Sequence, residues 1–331
     1  MSWGAGFRAV LLAATAGLVV LLPFVVSNYH TYQLAQVAIY AIAVIGVNIV
    51  TGYTGQISLG HGAFMLIGAY TTSSLIVHAS FPYGVTIPIA GVVAGIAGFL
   101  FGFPALRLAG VYLALATLAI ATALPGVAEH FSGLTGGSVG LRLAPPAPPF
   151  GWNVSDNVWI YVLSWSVTVV MFALSWLILR GRFGRALRAI RDRHAAAVSS
   201  GVNLALYKTL AFGVSAAFAG VSGSLLVLSL GYINPSVFPL ILSILLLTGA
   251  VVGGLGTLPG PIFGGLLIVY LWATPFYSNL KHVPKDAPPV IYGVLTILVV
   301  FIVPNGIVGE LRRLVGVIRR GAAARGATTT A

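Results

Sequence analysis

Ten apolar stretches, each close to bilayer-crossing length, follow one another along the chain at 9–26, 34–51, 63–79, 84–103, 110–127, 158–179, 209–230, 236–254, 259–276 and 290–307. An α-helix rises about 1.5 Å per residue, so about 20 apolar residues cover a hydrocarbon core roughly 30 Å thick. Lipid offers no partners to backbone N–H and C=O groups, so such stretches must fold as helices that satisfy their own hydrogen bonds. The expectation is an all-α, polytopic membrane helix bundle of about ten transmembrane segments. Composition agrees, because only 7% of the 331 residues are charged, against roughly 25% in a soluble domain. So few charges cannot cover a water-facing surface. Residues 1–310 are read as a single transmembrane domain and 311–331 as a basic, flexible tail. The first stretch, longer than a signal-peptide core and without a small-x-small cleavage site, reads as a retained span.

The net charge of +12 is distributed as a membrane protein distributes it. With the N-terminus in the cytoplasm and spans alternating, Arg8, Arg107, Arg180, Arg182, Arg185, Arg188, Arg191, Arg193, Lys208, Arg312, Arg313, Arg319, Arg320 and Arg325 fall inside. Only Arg142, Lys281 and Lys285 fall outside. The positive-inside rule selects this orientation and places both termini in the cytoplasm. The arginines report orientation and contact with anionic lipid rather than nucleic acid, which is not expected as a partner. The chain has no cysteine, which excludes disulfides, thiolate metal sites and cysteine nucleophiles.

The acidic residues Glu129, Asp156, Asp192, Asp286 and Glu310 all lie in or beside loops. A proton-driven carrier needs a protonatable group inside the membrane, so that reading is weakened; sodium coupling through backbone carbonyls stays open. None of Lys208, Lys281 and Lys285 follows a glycine, so the Gly-Lys-Ser/Thr of a Walker A loop is absent. The six histidines show no metal-ligand spacing, and no Ser/His/Asp arrangement stands out. An enzyme is not expected.

Two glycine-rich segments, 52–62 (GYTGQISLGHG) and 253–260 (GGLGTLPG), interrupt apolar stretches. Such interruptions mark either broken or re-entrant helices beside a transport path or ordinary cytoplasmic turns. Gln56, Ser58 and His61 put hydrogen-bonding groups into the first and are candidates for the path. Pairs of small residues at helical spacing, Gly91 with Gly95, Ala216 with Gly220 and Gly260 with Gly264, are suited to close helix crossings. The loop at 128–157, rich in Gly and Pro, is expected outside as an irregular cap.

The longest inside loop, 180–208, carries the chain's densest run of arginine. On a helix, Arg185, Arg188 and Arg191 or Asp192 make one polar stripe, while Leu187, Ile190 and Ala197 lie nearer another face. Gly201 is placed to stop such a helix. The amphipathic segment is able to rest on lipid or to press its small-residue patch into a soluble partner.

Read together, several blocks resemble the permease subunits of branched-chain amino acid ATP-binding-cassette (ABC) importers of the LivM type. They are GYTGQISLGH (52–61), LRLAGVYLA (106–114), LTGGS (134–138), RFGRALRAIR (182–191), GVN (201–203), YK (207–208) and GGLGT (253–257). The blocks run from about residue 35 to residue 308. The resemblance implies a multi-pass permease of a bacterial or archaeal plasma membrane that pairs with a second, related permease. It also implies two cytoplasmic ABC ATPases, an extracytoplasmic substrate-binding protein, no cofactor on this chain, and ATP on the partner subunits. The loop 180–208 would then be a coupling helix, with Arg185, Leu187, Arg188, Ile190, Arg191, Asp192, Ala196, Ala197 and Gly201 in or beside an ATPase groove. The path would include Gly55, Gln56, Ser58 and His61 together with Thr135, Gly136, Gly137 and Ser138. The sequence departs from the family pattern at His194 and Val198, where acidic residues are usual, and at Val139, where a polar residue is common. Branched-chain or other hydrophobic amino acids are the expected cargo, with urea, short amides and aromatic acids as alternatives. A secondary transporter or channel driven by an ion gradient is the competing reading.

Overall fold

The computed structural model describes residue 23, residues 26–105, 108, 110–148 and 154–272, and scattered positions between 293 and 313. The stretches expected at 9–26 and 290–307, the tail at 311–331, and Arg107 lie wholly or largely outside the described residues. In chain order the helices are α1 (Asn28–Val47), α2 (His61–Ala79), α3 (Tyr83–Ala105), α4 (Val111–His130), α5 (Ser132–Thr135) and α6 (Asp156–Arg180). They continue as α7 (Arg182–Asp192), α8 (His194–Ser199), α9 (Leu204–Leu230), α10 (Leu240–Gly254) and α11 (Gly260–Leu267). α1 runs into a π-helical turn at Asn48–Gly52, and α11 into another at Ile268–Trp272.

Among the described residues, seven helices are long and apolar enough to cross a membrane: α1 with its π turn, α2, α3, α4, α6, α9, and α10 with the short 3₁₀ turn before it. Each falls on one of the expected stretches. The helices overrun the apolar runs at their ends, as at Leu204–Leu230 against 209–230, where Asn203 caps the helix ahead of the apolar run by accepting from Leu206 N. The ninth expected stretch is seen as the shorter Gly260–Tyr270.

α1 and α9 form the centre: 89% and 83% of their most apolar windows are buried, against 33%, 22% and 28% for α3, α4 and α6. Bulky side chains such as Val92, Ile96, Leu100, Val169, Val170 and Leu177 face outward from α3 and α6, as lipid-facing positions should. Within the bundle, hydroxyls stitch neighbouring helices. Ser215 and Ser222 of α9 donate to Gly46 O and Ile39 O of α1, both at 2.7 Å. Thr72 of α2 donates to Ser224 at 2.6 Å, and Gln36 of α1 to Ser229 at 3.0 Å. Apolar burial gives no preference between helix and lipid, so such bonds and close backbone packing carry the association. The small-residue pairs sit at two other crossings, of α3 with α9 and of α10 with α11. A Cβ on Gly220 would lie 2.7 Å from Ala90 O, and one on Gly264 would lie 2.5 Å from Gly249 O.

The chain passes back and forth between two ends of the bundle. At one end lie residues 53–60, the C-terminus of α3, the N-terminus of α4, and residues 181–203 and 255–259, and Gly306 packs its backbone against Gly254. This is the basic end: among the described residues it holds Arg180, Arg182, Arg185, Arg188, Arg191, Arg193 and Lys208, while the opposite end holds Arg142. The opposite end is more ordered than an irregular cap. α5 is followed by β1 (Leu141–Arg142), which pairs antiparallel with β2 (Tyr232–Ile233). Leu143 N adds a 2.9 Å bond to Gly231 O, and Tyr232 donates its hydroxyl to Val139 O at 2.7 Å. This two-stranded ladder is a local addition to an all-α bundle; two residues per strand are too few to leave a periodic pattern in sequence.

Candidate functional site

The two glycine breaks meet at the basic end. After the π turn, Tyr53 and Thr54 complete a last turn, Gly55 adopts φ +73, and residues 55–60 run without helix until His61 opens α2. At the second break α10 stops at Gly254, Gly256 has φ +73, and α11 begins at Gly260. Neither segment is a simple continuation of its helix. Both leave backbone groups without helical partners.

Asn48 and Arg191 supply those partners. Asn48, 3% exposed within the π turn, donates from Nδ2 to Thr257 O at 2.7 Å and accepts at Oδ1 from Gly256 N at 2.8 Å. One amide side chain thereby satisfies both an N–H and a C=O of the opposite break. Arg191, near the C-terminus of α7, donates from Nη1 to Gly52 O. A Cβ on Gly52 would lie 2.6 Å from Gly256 N, and one on Gly256 would lie 2.8 Å from Arg191 Nη1. Only glycine at both positions lets the three segments touch. Two breaks about 200 residues apart in sequence (|i−j| of 208 and 209) are thus joined to each other and to the arginine-rich segment.

The candidate path residues of the first break differ in access. Gly55 is exposed, Gln56 half-buried, and Ser58 and His61 buried. Ser215 uses its single hydroxyl proton on Gly46 O, so it must accept from His61 Nε2 at 2.5 Å. His61 therefore carries its proton on Nε2 and faces Ser58 Oγ with Nδ1 at 3.4 Å. The imidazole pins the start of α2 to α9 and, through Ser215, to α1. Thr117 of α4 accepts Leu59 N at 2.9 Å, and Ser243 of α10 accepts Gly62 N at 2.9 Å. Beside the break lies a cavity of about 120 Å³ lined by Phe64, Phe101, Leu108, Ala116, Thr117, Ile120 and Phe212. Its walls, Thr117 apart, offer apolar contact and no partner for an ammonium or carboxylate group.

The basic segment is two helices rather than the single one expected. Arg193 is extended (φ −153, ψ 107) and turns the chain between α7 and α8, so that Ala197 reaches the bundle as Leu187 and Ile190 do. Leu187 and Ile190 are 0% exposed and Ala197 is 2% exposed; the apolar side of the segment is occupied by this chain's own α6 and α9. Phe183 packs on Tyr207 with ring centres 5.8 Å apart. Gly201, φ +80, ends α8, with Val202 N bonded to Ala197 O at 3.0 Å, a left-handed stop that favours glycine. Arg185, Arg188, Arg191, Asp192, Ala196 and Val198 remain exposed. Arg185 and Arg188 reach back to the carbonyls of Arg180 and Leu179 at 3.4 Å each.

Thr135, Gly136, Gly137 and Ser138 lie at the opposite end, far along the bundle from Gln56. Thr135 is buried and donates to Ala128 O at 2.6 Å, while Gly136 (φ +74) and Gly137 (φ +61) make the left-handed turn that leads into β1. The two halves of the expected path thus sit at opposite mouths. Sequence reasoning passed over Asn48 and Thr117. The signal for Asn48 was a lone amide in the apolar run 34–51, since a polar group inside a span must find a partner. Among the described residues no group of three His, Asp or Glu is placed to hold a metal ion.

The chain matches the family described as branched-chain amino acid transport system / permease component over residues 29–303. It is 32% identical to the high-affinity branched-chain amino acid transport system permease protein LivM of Escherichia coli, over 79% of this chain and 67% of the relative. It is 30% identical to LivH of the same organism, over 82% of this chain and 91% of the relative, and 30% identical to BraD of Pseudomonas aeruginosa, over 82% and 92%. No solved structure matches. On these matches, and on the apolar bundle they cover, the chain belongs to the family of permease components of branched-chain amino acid transport systems.

Proposed function

We propose that the chain forms half of the translocation path of an ABC importer for branched-chain or other hydrophobic amino acids, in a bacterial or archaeal plasma membrane. A second, related permease supplies the other half; similarity to both LivM and LivH supports such a pairing. Two cytoplasmic ATPases dock on the basic end, and an extracytoplasmic binding protein delivers cargo to the end that carries the β1–β2 ladder. The one-sided distribution of arginine supports this orientation. The observation that carries the reading is that Arg191, at the end of α7 next to α8, bonds the first glycine break and lies against the second at a single end. Force applied to the exposed side of α8 has a direct route to the two places where the spans are interrupted.

The chain carries no Walker A loop, so ATP acts on the partner subunits. Arg185, Arg188, Asp192, Ala196 and Val198 present the surface an ATPase groove can grip, while Leu187, Ile190 and Ala197 hold the segment to the bundle. Binding affinity resides in the extracytoplasmic protein, and the permease needs only a weak, passable route. The apolar cavity beside the first break suits a branched aliphatic side chain better than urea.

The test is uptake of labelled leucine by proteoliposomes holding this chain, its partner permease and both ATPases, with binding protein on the opposite side. Uptake is expected to require ATP and to survive ionophores. Gradient-driven uptake by this chain alone would overturn the reading.

A further inference from the structure

We propose that Arg191 is a clasp internal to the permease: its guanidinium holds the two glycine breaks against each other, and withdrawing it lets the basic end of the bundle part. The proposal rests on the importer reading for its role in transport, but its geometry stands alone. Arg191 donates to Gly52 O, the last carbonyl of the π turn, where the helix leaves its terminal carbonyls without partners. The same nitrogen packs against Gly256 in the second break, and its Cγ packs near Gly55 in the first. Beneath it, Asn48 bonds Gly256 N and Thr257 O. Arg191 closes this knot from outside, and Asn48 closes it from inside.

Three features make the contact a clasp rather than a fixed strut. Arg191 faces neutral carbonyl and amide groups and forms no ion pair among the described residues, so no buried charge is stranded when it leaves. A single hydrogen bond from a charged donor shifts an equilibrium by roughly ten- to a hundredfold, a range that a partner's motion can reverse. The side chain also springs from the last turn of α7, next to the extended Arg193, the point at which movement of α8 is passed to α7. Arg185 and Arg188, by contrast, turn back to α6 and do not touch the breaks. Arg191 is thus a positioning residue that acts on the path through Gly52 and Gly256; exposed like the arginines around it, it differs from them in reaching both breaks.

The experiment compares Arg191→Ala, Arg191→Lys and wild type in the complete complex. Arg191→Ala is expected to retain the ATPases on purification while uptake per ATP hydrolysed falls at least about tenfold. Arg191→Lys, which keeps a donor, is expected to recover part of it. Hydrogen exchange on the full chain in lipid nanodiscs gives a readout independent of transport. In Arg191→Ala the amides at 255–258 should exchange roughly tenfold faster or more, with those of central α9 unchanged, although Arg191 bonds none of those amides. Unchanged exchange at 255–258, unchanged uptake per ATP, or loss of the ATPases from Arg191→Ala alone would each overturn the clasp. Failure of wild type to couple uptake to ATP would instead remove the importer reading, and the exchange result would still decide the clasp.

Discussion

Replacing Gly223 by alanine tests the packing on which the bundle depends. A Cβ there falls on the Met65 carbonyl oxygen of α2, with Met65 C at 2.7 Å and Cα at 2.9 Å. Ordinary contact begins near 3.4 Å, and backbone atoms on both sides cannot rotate away, so α2 and α9 must separate by more than half an ångström at their crossing. Overpacking of this kind costs about 1–3 kcal/mol, and separation strains the neighbouring Thr72–Ser224 bond of 2.6 Å, worth about 0.6 kcal/mol in membranes. Alanine returns at most about 1 kcal/mol of helix propensity, leaving a net loss of about 1–3 kcal/mol. Gly126 in α4 is the control, because nothing lies within 4 Å of its Cβ position; Gly126→Ala should be neutral or slightly stabilising. Heating purified protein in detergent and following the folded peak by size exclusion should show Gly223→Ala lost several degrees below wild type and Gly126→Ala at or above it. Equal midpoints for the two variants would refute the view that glycine backbone contact holds α2 to α9.

Two further outcomes follow from the basic end. Asn48→Ala leaves Gly256 N and Thr257 O without their partner, a loss of about 1–3 kcal/mol for two intramembrane hydrogen bonds; ATP hydrolysis without binding protein should rise and uptake per ATP should fall. Cysteine placed at Ala195, exposed on α8, should react with a membrane-impermeant maleimide in inverted vesicles and stay unlabelled in intact cells.

The spans were legible because burial in lipid imposes length and apolarity, which leave a mark at every residue; the stretch at 158–179 became Asp156–Arg180 with little change. The breaks were legible as glycine clusters, but not their meeting. Asn48 lies about 208 residues from its partners, and nothing in the local pattern names a partner so distant. The periodicity of 180–201 showed an amphipathic segment and Gly201 as its stop, yet could not tell whether Leu187 and Ile190 face a partner's groove or the chain's own helices. They face α6 and α9, because an apolar face beside a bundle is buried by whatever lies nearest. Arg191 is exposed like the arginines around it, and nothing in its spacing marks it; the absence of side chains at Gly52 and Gly256 lets its guanidinium reach the breaks.

The central claim is that a motor outside this chain grips the exposed face of α8 and moves the joined breaks. A photo-crosslinking residue at Val198, 55% exposed on that face, tests it in the assembled complex. The account predicts an adduct with the cytoplasmic ATPase whose yield changes when ATP is bound. Crosslinking of Val198 to lipid alone, or to a protein on the opposite side of the membrane, would contradict it.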